Sequence, residues 1–140
     1  MRSTSSTSFA SGSLHGSRCS GRMPKITGAL LRFACRAGGI LGKADASSRA
    51  AIDRYGAIVG QAFQITDDLL DVESDTATLG KAAGKDAAAG KGTLVTTLGI
   101  EGARAKLDTL VAEAEAVLKP FGSKADILRA TARFIAQRRT

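Results

Sequence analysis

The stretch that most constrains this chain is Gly60-Gln-Ala-Phe-Gln-Ile-Thr-Asp-Asp-Leu-Leu-Asp71. On a helix advancing about 100° per residue, Gln64, Asp67, Asp68 and Asp71 fall within an arc of roughly 100°. Ala57 and Gly60 lie one turn earlier on the same arc, so the surface below the carboxylates is small-sided. Ile58, Ala62, Ile65, Leu69 and Val72 make a second face, and Val59, Phe63 and Leu70 fill much of the rest. A helix apolar around most of its circumference is normally buried. Three carboxylates on such a helix are costly unless a cation compensates them. No arginine cluster stands nearby in sequence, so the economical reading is a divalent metal ion.

The ligand type narrows the metal. Oxygen-only donors with no Cys or His beside them suit a hard cation such as Mg²⁺, Mn²⁺ or Ca²⁺. Mg²⁺ usually keeps waters and takes one or two carboxylates plus phosphate oxygens. A glycine-punctuated run follows directly: Leu79-Gly80-Lys81-Ala-Ala-Gly84-Lys85-Asp86-Ala-Ala-Ala-Gly90-Lys91-Gly92. Its lysines are point charges suited to phosphate. An acidic face followed by a lysine loop reads as a metal-bridged phosphate or diphosphate site.

Phe63-Gln-Ile-Thr-Asp-Asp-Leu-Leu-Asp71, then Asp75-Thr-Ala-Thr-Leu-Gly-Lys81, Gly84-Lys-Asp86 and Gly90-Lys91 resemble the second aspartate-rich motif and following loop of trans-polyprenyl diphosphate synthases. The likeness is greatest to bacterial farnesyl and geranylgeranyl diphosphate synthases. Thr27-Gly-Ala-Leu-Leu-Arg-Phe33 and Ala132-Arg-Phe-Ile-Ala-Gln-Arg-Arg139 extend it over about residues 24 to 140.

The resemblance implies a Mg²⁺-dependent prenyltransferase of isoprenoid biosynthesis. Such an enzyme ionises an allylic diphosphate and lets isopentenyl diphosphate attack the cation. By resemblance Asp67 and Asp71 hold Mg²⁺, with Asp68 a weaker or outer ligand. Gln64, Lys81 and Lys91 contact the diphosphate, Asp86 orients the loop lysines, and Lys85 is a solvated loop residue. The family also carries a Lys-Thr-Gly whose Lys and Thr touch diphosphate. Here it reads Pro24-Lys25-Ile26-Thr27-Gly28: Thr27 keeps its place, while Lys25 is displaced by one residue. The family's first aspartate-rich motif, and the upstream Lys, Arg and His groups for isopentenyl diphosphate, have no counterpart in residues 1–23. The resemblance thus covers only the C-terminal half of the family domain and implies an incomplete catalytic apparatus. A different class of role follows as the alternative: a non-catalytic helical subunit or degenerate homologue that pairs with a complete synthase. Homodimerisation is the other expected association.

Charge argues against nucleic acid. Residues 1–44 contain seven Lys or Arg and no acid; residues 45–140 contain thirteen basic and thirteen acidic residues and are neutral. The net +7 is therefore no basic patch on a folded domain. Ten of the first twenty residues are Ser or Thr, a composition that cannot bury enough surface to order itself. Residues 1–23 are thus expected as a disordered tail. They are compositionally like an organellar transit peptide, or else the upstream segment of a fragmentary or mis-started reading frame, the reading favoured here. The expected compartment is the cytoplasm, or an organelle if the tail is a transit peptide. No run approaches the ~18 apolar residues of a membrane span. Cys19 and Cys35 lack metal-type spacing; Cys35 reads as a small buried hydrophobe, and His15 has no visible partner.

Alanine and leucine with two prolines and no tryptophan favour helix over sheet. Five helices are expected: Thr27 to about Leu41; a long one capped by Asp45 and running to about Val72; Thr93 to Leu98; a surface helix from Glu101 after Gly99; and a last one opened by a capping-box-like Ser123-Lys-Ala-Asp126. Ile52, Tyr55, Val59 and Phe63 should pack inward. Glu73 to Gly92 is expected as loop. Leu107, Leu110, Val111, Ala114 and Leu118 form one buried stripe, and Ile127, Leu128, Thr131, Phe134 and Ile135 another. With no clear strand, the fold class is all-α, an antiparallel helix bundle and part of the isoprenoid-synthase fold.

Overall fold

The structure is a computed structural model describing residues 23–79 and 93–138, with side chains for 26–74 and 93–138. Among the described residues it is helical, with no strand. Helix α1 spans Met23–Leu41, α2 Ala46–Leu79, α3 Leu94–Val117 and α4 Asp126–Gln137; a 3₁₀ segment, Lys119–Ala125, joins the last two.

Helix α2 is the axis of the bundle: α1 packs along one side, α3 and α4 against the other. Its inward face carries Tyr55, Ile58, Val59, Ala62, Ile65 and Leu69, all buried against Ala103, Leu107, Leu110, Ala114 and Leu118 of α3 and its end, and Ala132 and Ile135 of α4. These are the α2 and α3 faces expected from periodicity, with Ile52, Phe63, Val72 and Cys35 partly buried beside them. Tyr55 donates its hydroxyl hydrogen to the Leu128 carbonyl at 2.8 Å, pinning α2 to α4. Thr66, also buried, donates to the Ala62 carbonyl one turn back.

Helix ends follow local chemistry. Leu41 ends α1, and the turn closes with Gly42, Lys43 and Ala44 amides donating to the carbonyls of Gly38, Ile40 and Gly39. The left-handed residue of that turn is Lys43, at φ 52°, and not its glycine neighbour. Asp45 caps α2: its Oδ1 accepts from the Ser48 amide at 2.7 Å and the Ser47 hydroxyl at 2.9 Å. Those bonds hold its carboxyl below the usual carboxylate range. Thr93 opens α3 with a reciprocal capping box to Thr96. Gly99, at φ 73° and ψ 174°, kinks that helix at the expected break.

Three expectations are corrected. Helix α2 does not stop near Val72 but continues to Leu79; Glu73 to Leu79 is polar yet holds no Gly or Pro, so nothing breaks it before Gly80. The last helix lacks the capping box: α4 begins at Asp126 with Ala125 in the cap position and no side-chain cap bond. The preceding turn is held by Arg129, which donates to the carbonyls of Gly122 and Leu118 and to Asp126. The α4 core stripe is also rotated. Ala132 and Ile135 are buried and Leu128 half-buried, whereas Ile127 and Phe134 are 73% and 67% exposed and Thr131 faces out. Small Ala132 lets α4 approach the core, a contact that side-chain size concealed.

Candidate functional site

Close helix packing builds the site. At Gly60 a Cβ would stand 2.9 Å from the Gly28 carbonyl oxygen and 3.0 Å from its Cα; at Gly56 one would stand 2.9 Å from the Arg32 Cα. Real side chains do not tolerate such approaches, so these glycines let α1 lie directly on α2. The bidentate Arg32–Asp53 pair, at 2.8 and 2.7 Å, fixes the register and holds the Asp53 carboxyl below its ordinary range.

The consequence is convergence of residues far apart in the chain. The Gly28 Cα faces α2 such that a Cβ there would meet Gln64 Nε2 at 3.5 Å. Half-buried Thr27 thus sits at the α1–α2 seam one residue from Gln64's neighbour. One turn on along α2 come Asp67 and Asp68, half-buried, and then Asp71, exposed. Beneath them, a groove of about 900 Å³ runs between α1 and α2, lined by Ala29, Phe33, Ile40, Ala57, Gly60 and Gln64 among others. Its lining surface is mostly apolar, with Gln64 at one end and Arg32, Arg36 and Gln61 also on its wall.

The carboxylates are therefore not entombed, as an apolar α2 suggested, but stand where that helix is open. Asp67 has a partner the sequence did not reveal: Arg138, 71 residues away, donates to its Oδ1. The guanidinium carbon also lies 4.8 Å from the centre of the Phe63 ring, a cation–π contact one turn before Asp67. Only the basic C-terminal tail hinted at this. Among the described residues no three His, Cys, Asp or Glu side chains converge as a ready-made metal cage. Asp67, Asp68 and Asp71 share a face without closing on one point. Lys81 and Lys91 lie outside the described residues, as do Lys85 and Asp86, and Lys25 is described only as α1 backbone.

The family model for polyprenyl synthetases matches residues 21–127. The chain belongs to the polyprenyl synthetase family. It is 44% identical over 117 residues to the farnesyl diphosphate synthase of Escherichia coli (strain K12), covering 80% of this chain and 39% of that one. It is 42% identical over 113 residues to geranylgeranyl pyrophosphate synthase 9, chloroplastic, of Arabidopsis thaliana, covering 80% and 31%. To the short chain isoprenyl diphosphate synthase of Methanothermobacter thermautotrophicus it is 40% identical over 111 residues, covering 71% and 34%. The chain spans about a third of the length of these polyprenyl synthetase relatives. No helix among the described residues is long and apolar enough to cross a membrane.

Proposed function

We propose that this chain supplies the second aspartate face and part of the prenyl groove of a short-chain prenyltransferase that condenses an allylic diphosphate with isopentenyl diphosphate. The observation that carries the reading is the meeting of Gly28 with Gln64 at one end of a largely apolar groove, one turn before Asp67 and Asp68 along α2. A diphosphate at that end leaves its hydrocarbon tail along Ala29, Phe33 and Ala57.

The donor set fits Mg²⁺. Asp67 and Asp71 are an i, i+4 pair of oxygen donors on a surface open to a hydrated ion, and Asp68 stands beside them. Two carboxylates would leave coordination positions for water and diphosphate oxygens, as Mg²⁺ prefers. When bound, the ion would stabilise the negative charge that grows on the departing diphosphate. The Gln64 amide and Thr27 hydroxyl orient that group, and Lys81, Lys91 and Lys25 add donors to it. The apolar residues of the groove would line the allylic hydrocarbon. Residues 24–140 form the working domain and 1–23 a tail; the proposed compartment is the cytoplasm, or an organelle if the tail is a transit peptide.

The test supplies the chain with dimethylallyl and isopentenyl diphosphates and Mg²⁺, alone and mixed with a separately produced segment covering the region of a relative that it does not span. Prenyl product is expected in the mixture, and Asp67→Ala is expected to lower its rate by about a hundredfold or more. Product formation indifferent to Asp67→Ala, or absent from both preparations, overturns the reading.

A second reading, a non-catalytic subunit pairing with a complete synthase, is favoured by the exposed apolar side chains of α1, three of which also line the groove: Leu30, Phe33, Ile40 and Leu41 are 58–82% exposed. A size-exclusion profile decides it: a monomer that ignores an added full-length synthase speaks against pairing.

A further inference from the structure

We propose that Arg138 is a positioning residue for Asp67, an internal counter-cation that sets how tightly the aspartate face takes a divalent ion. The inference rests on the metal reading above and goes beyond it, to a residue outside the aspartate motif.

Three observations carry it. Arg138 donates to Asp67 Oδ1, so a carboxylate oxygen suited to a metal already accepts a charged donor. The guanidinium is seated on Phe63, 4.8 Å from the ring centre, and its side chain is only 31% exposed; Asp67 is 46% exposed. At Arg138 the backbone has left α4, with φ −55° and ψ 126°, immediately after the last helical residue, Gln137. The side chain is therefore held at both ends, by the helix that delivers it and by the ring beneath it. The neighbouring arginine along this side of α2, Arg104, is committed to Glu73.

The physics gives the sign. A Mg²⁺ ion held by Asp67 would share its carboxylate with the Arg138 guanidinium and so lie close to a second positive charge. Two cations that close repel even through solvent, and they compete for the same lone pairs. A metal ion on Oδ1 displaces Arg138 and forfeits the ion pair and cation–π contact, and one on Oδ2 stays beside its charge; either way the affinity falls. In exchange, Arg138 compensates Asp67 while no metal is bound.

Titration calorimetry of the full 140-residue chain with Mn²⁺, and competition of Mn²⁺ by Mg²⁺, tests this. Arg138→Gln keeps a polar side chain but removes the charge, and is expected to tighten Mn²⁺ binding by about three- to tenfold. Arg138→Lys, which keeps the charge but loses the planar stack on Phe63, is expected to fall between the parent and Arg138→Gln. In an Asp67→Asn background, Arg138→Gln is expected to change nothing, which a general loosening of structure would not reproduce. Circular dichroism at 222 nm verifies folding of each variant. Unchanged or weaker binding in Arg138→Gln overturns the proposal, as does tightening that persists without Asp67. If the parent binds Mn²⁺ in an Asp67-dependent way and Arg138→Gln is silent, the metal reading stands and this inference falls. If the parent binds no Mn²⁺, both fall.

Discussion

Tyr55 is the buried aromatic whose polar end matters as much as its ring. It is 2% exposed, and its hydroxyl reaches the Leu128 carbonyl across the core. Burial, with the nearby Cys35 adding to it, pushes its pKa from the ordinary 10.0 up to about 12. The folded state thus holds the phenolic proton more tightly than the unfolded chain does. Stability from this group is complete below the unfolded value near 10 and is lost as pH rises toward about 12. Tyr55→Phe removes the hydrogen bond and leaves the Leu128 carbonyl without it, a cost of about 1–2 kcal/mol near neutral pH. Urea melts of parent and variant from pH 8 to 12 check this: the gap is expected to narrow as pH passes 10. A constant gap across that range would show that the hydroxyl does not titrate from its bonded position.

The joint between α1 and α2 turns on which glycines are crowded. A Cβ at Gly60 meets the α1 backbone at 2.9 and 3.0 Å, whereas one at Gly38 meets nothing within 4 Å. Gly60→Ala must push α1 away and is expected to destabilise by about 1–3 kcal/mol. Gly38→Ala, in an open helical position, is expected to stabilise by about 0.5–1 kcal/mol. Thermal melts that move in opposite directions for the two variants confirm the close approach; a shared direction refutes it. This contrast also explains what could be read from the chain beforehand. The α2 face of Ile58, Ala62, Ile65 and Leu69 was legible because its period is unbroken and its side chains are mostly large. The small-sided Ala57–Gly60 arc was visible too, although what it packs against was not. The α4 stripe is hidden from side-chain size because small Ala132 makes the contact while Ile127 and Phe134 stay exposed. The end of α2 lies later than its polar residues and the glycines beyond them suggest, because polar residues of ordinary helix propensity do not by themselves stop a helix. Beyond a basic C-terminal tail, the Arg138–Asp67 pair leaves no mark in the sequence, since no periodic rule links residues 71 positions apart.

Taken as a body, the bundle is finished on one side and open on the other. Between α2, α3 and α4 the core is continuous, and among the described residues no buried side-chain polar atom lacks a partner. On the far side α1 presents Ile26, Leu30, Phe33, Ile40 and Leu41, each more than half exposed. Five large apolar side chains on one helix are more than the scattered exposure normal for a surface. The chain spans about a third of its relatives' length, and nothing among its described residues covers this face. The isolated 140-residue chain should therefore hide that face by self-association. Sedimentation velocity is expected to show concentration-dependent oligomers that also bind the apolar dye ANS. Phe33→Gln with Leu41→Gln is expected to shift the population toward monomer and lower the dye signal. Because both side chains are exposed, at 68% and 82%, the melting temperature should fall by only a few degrees, corresponding to about 1 kcal/mol or less. A large loss of stability instead would mean that these residues already pack within the chain. A parent that stays monomeric and dye-free would mean that the α1 face is covered from within, and the need for a partner would disappear with it.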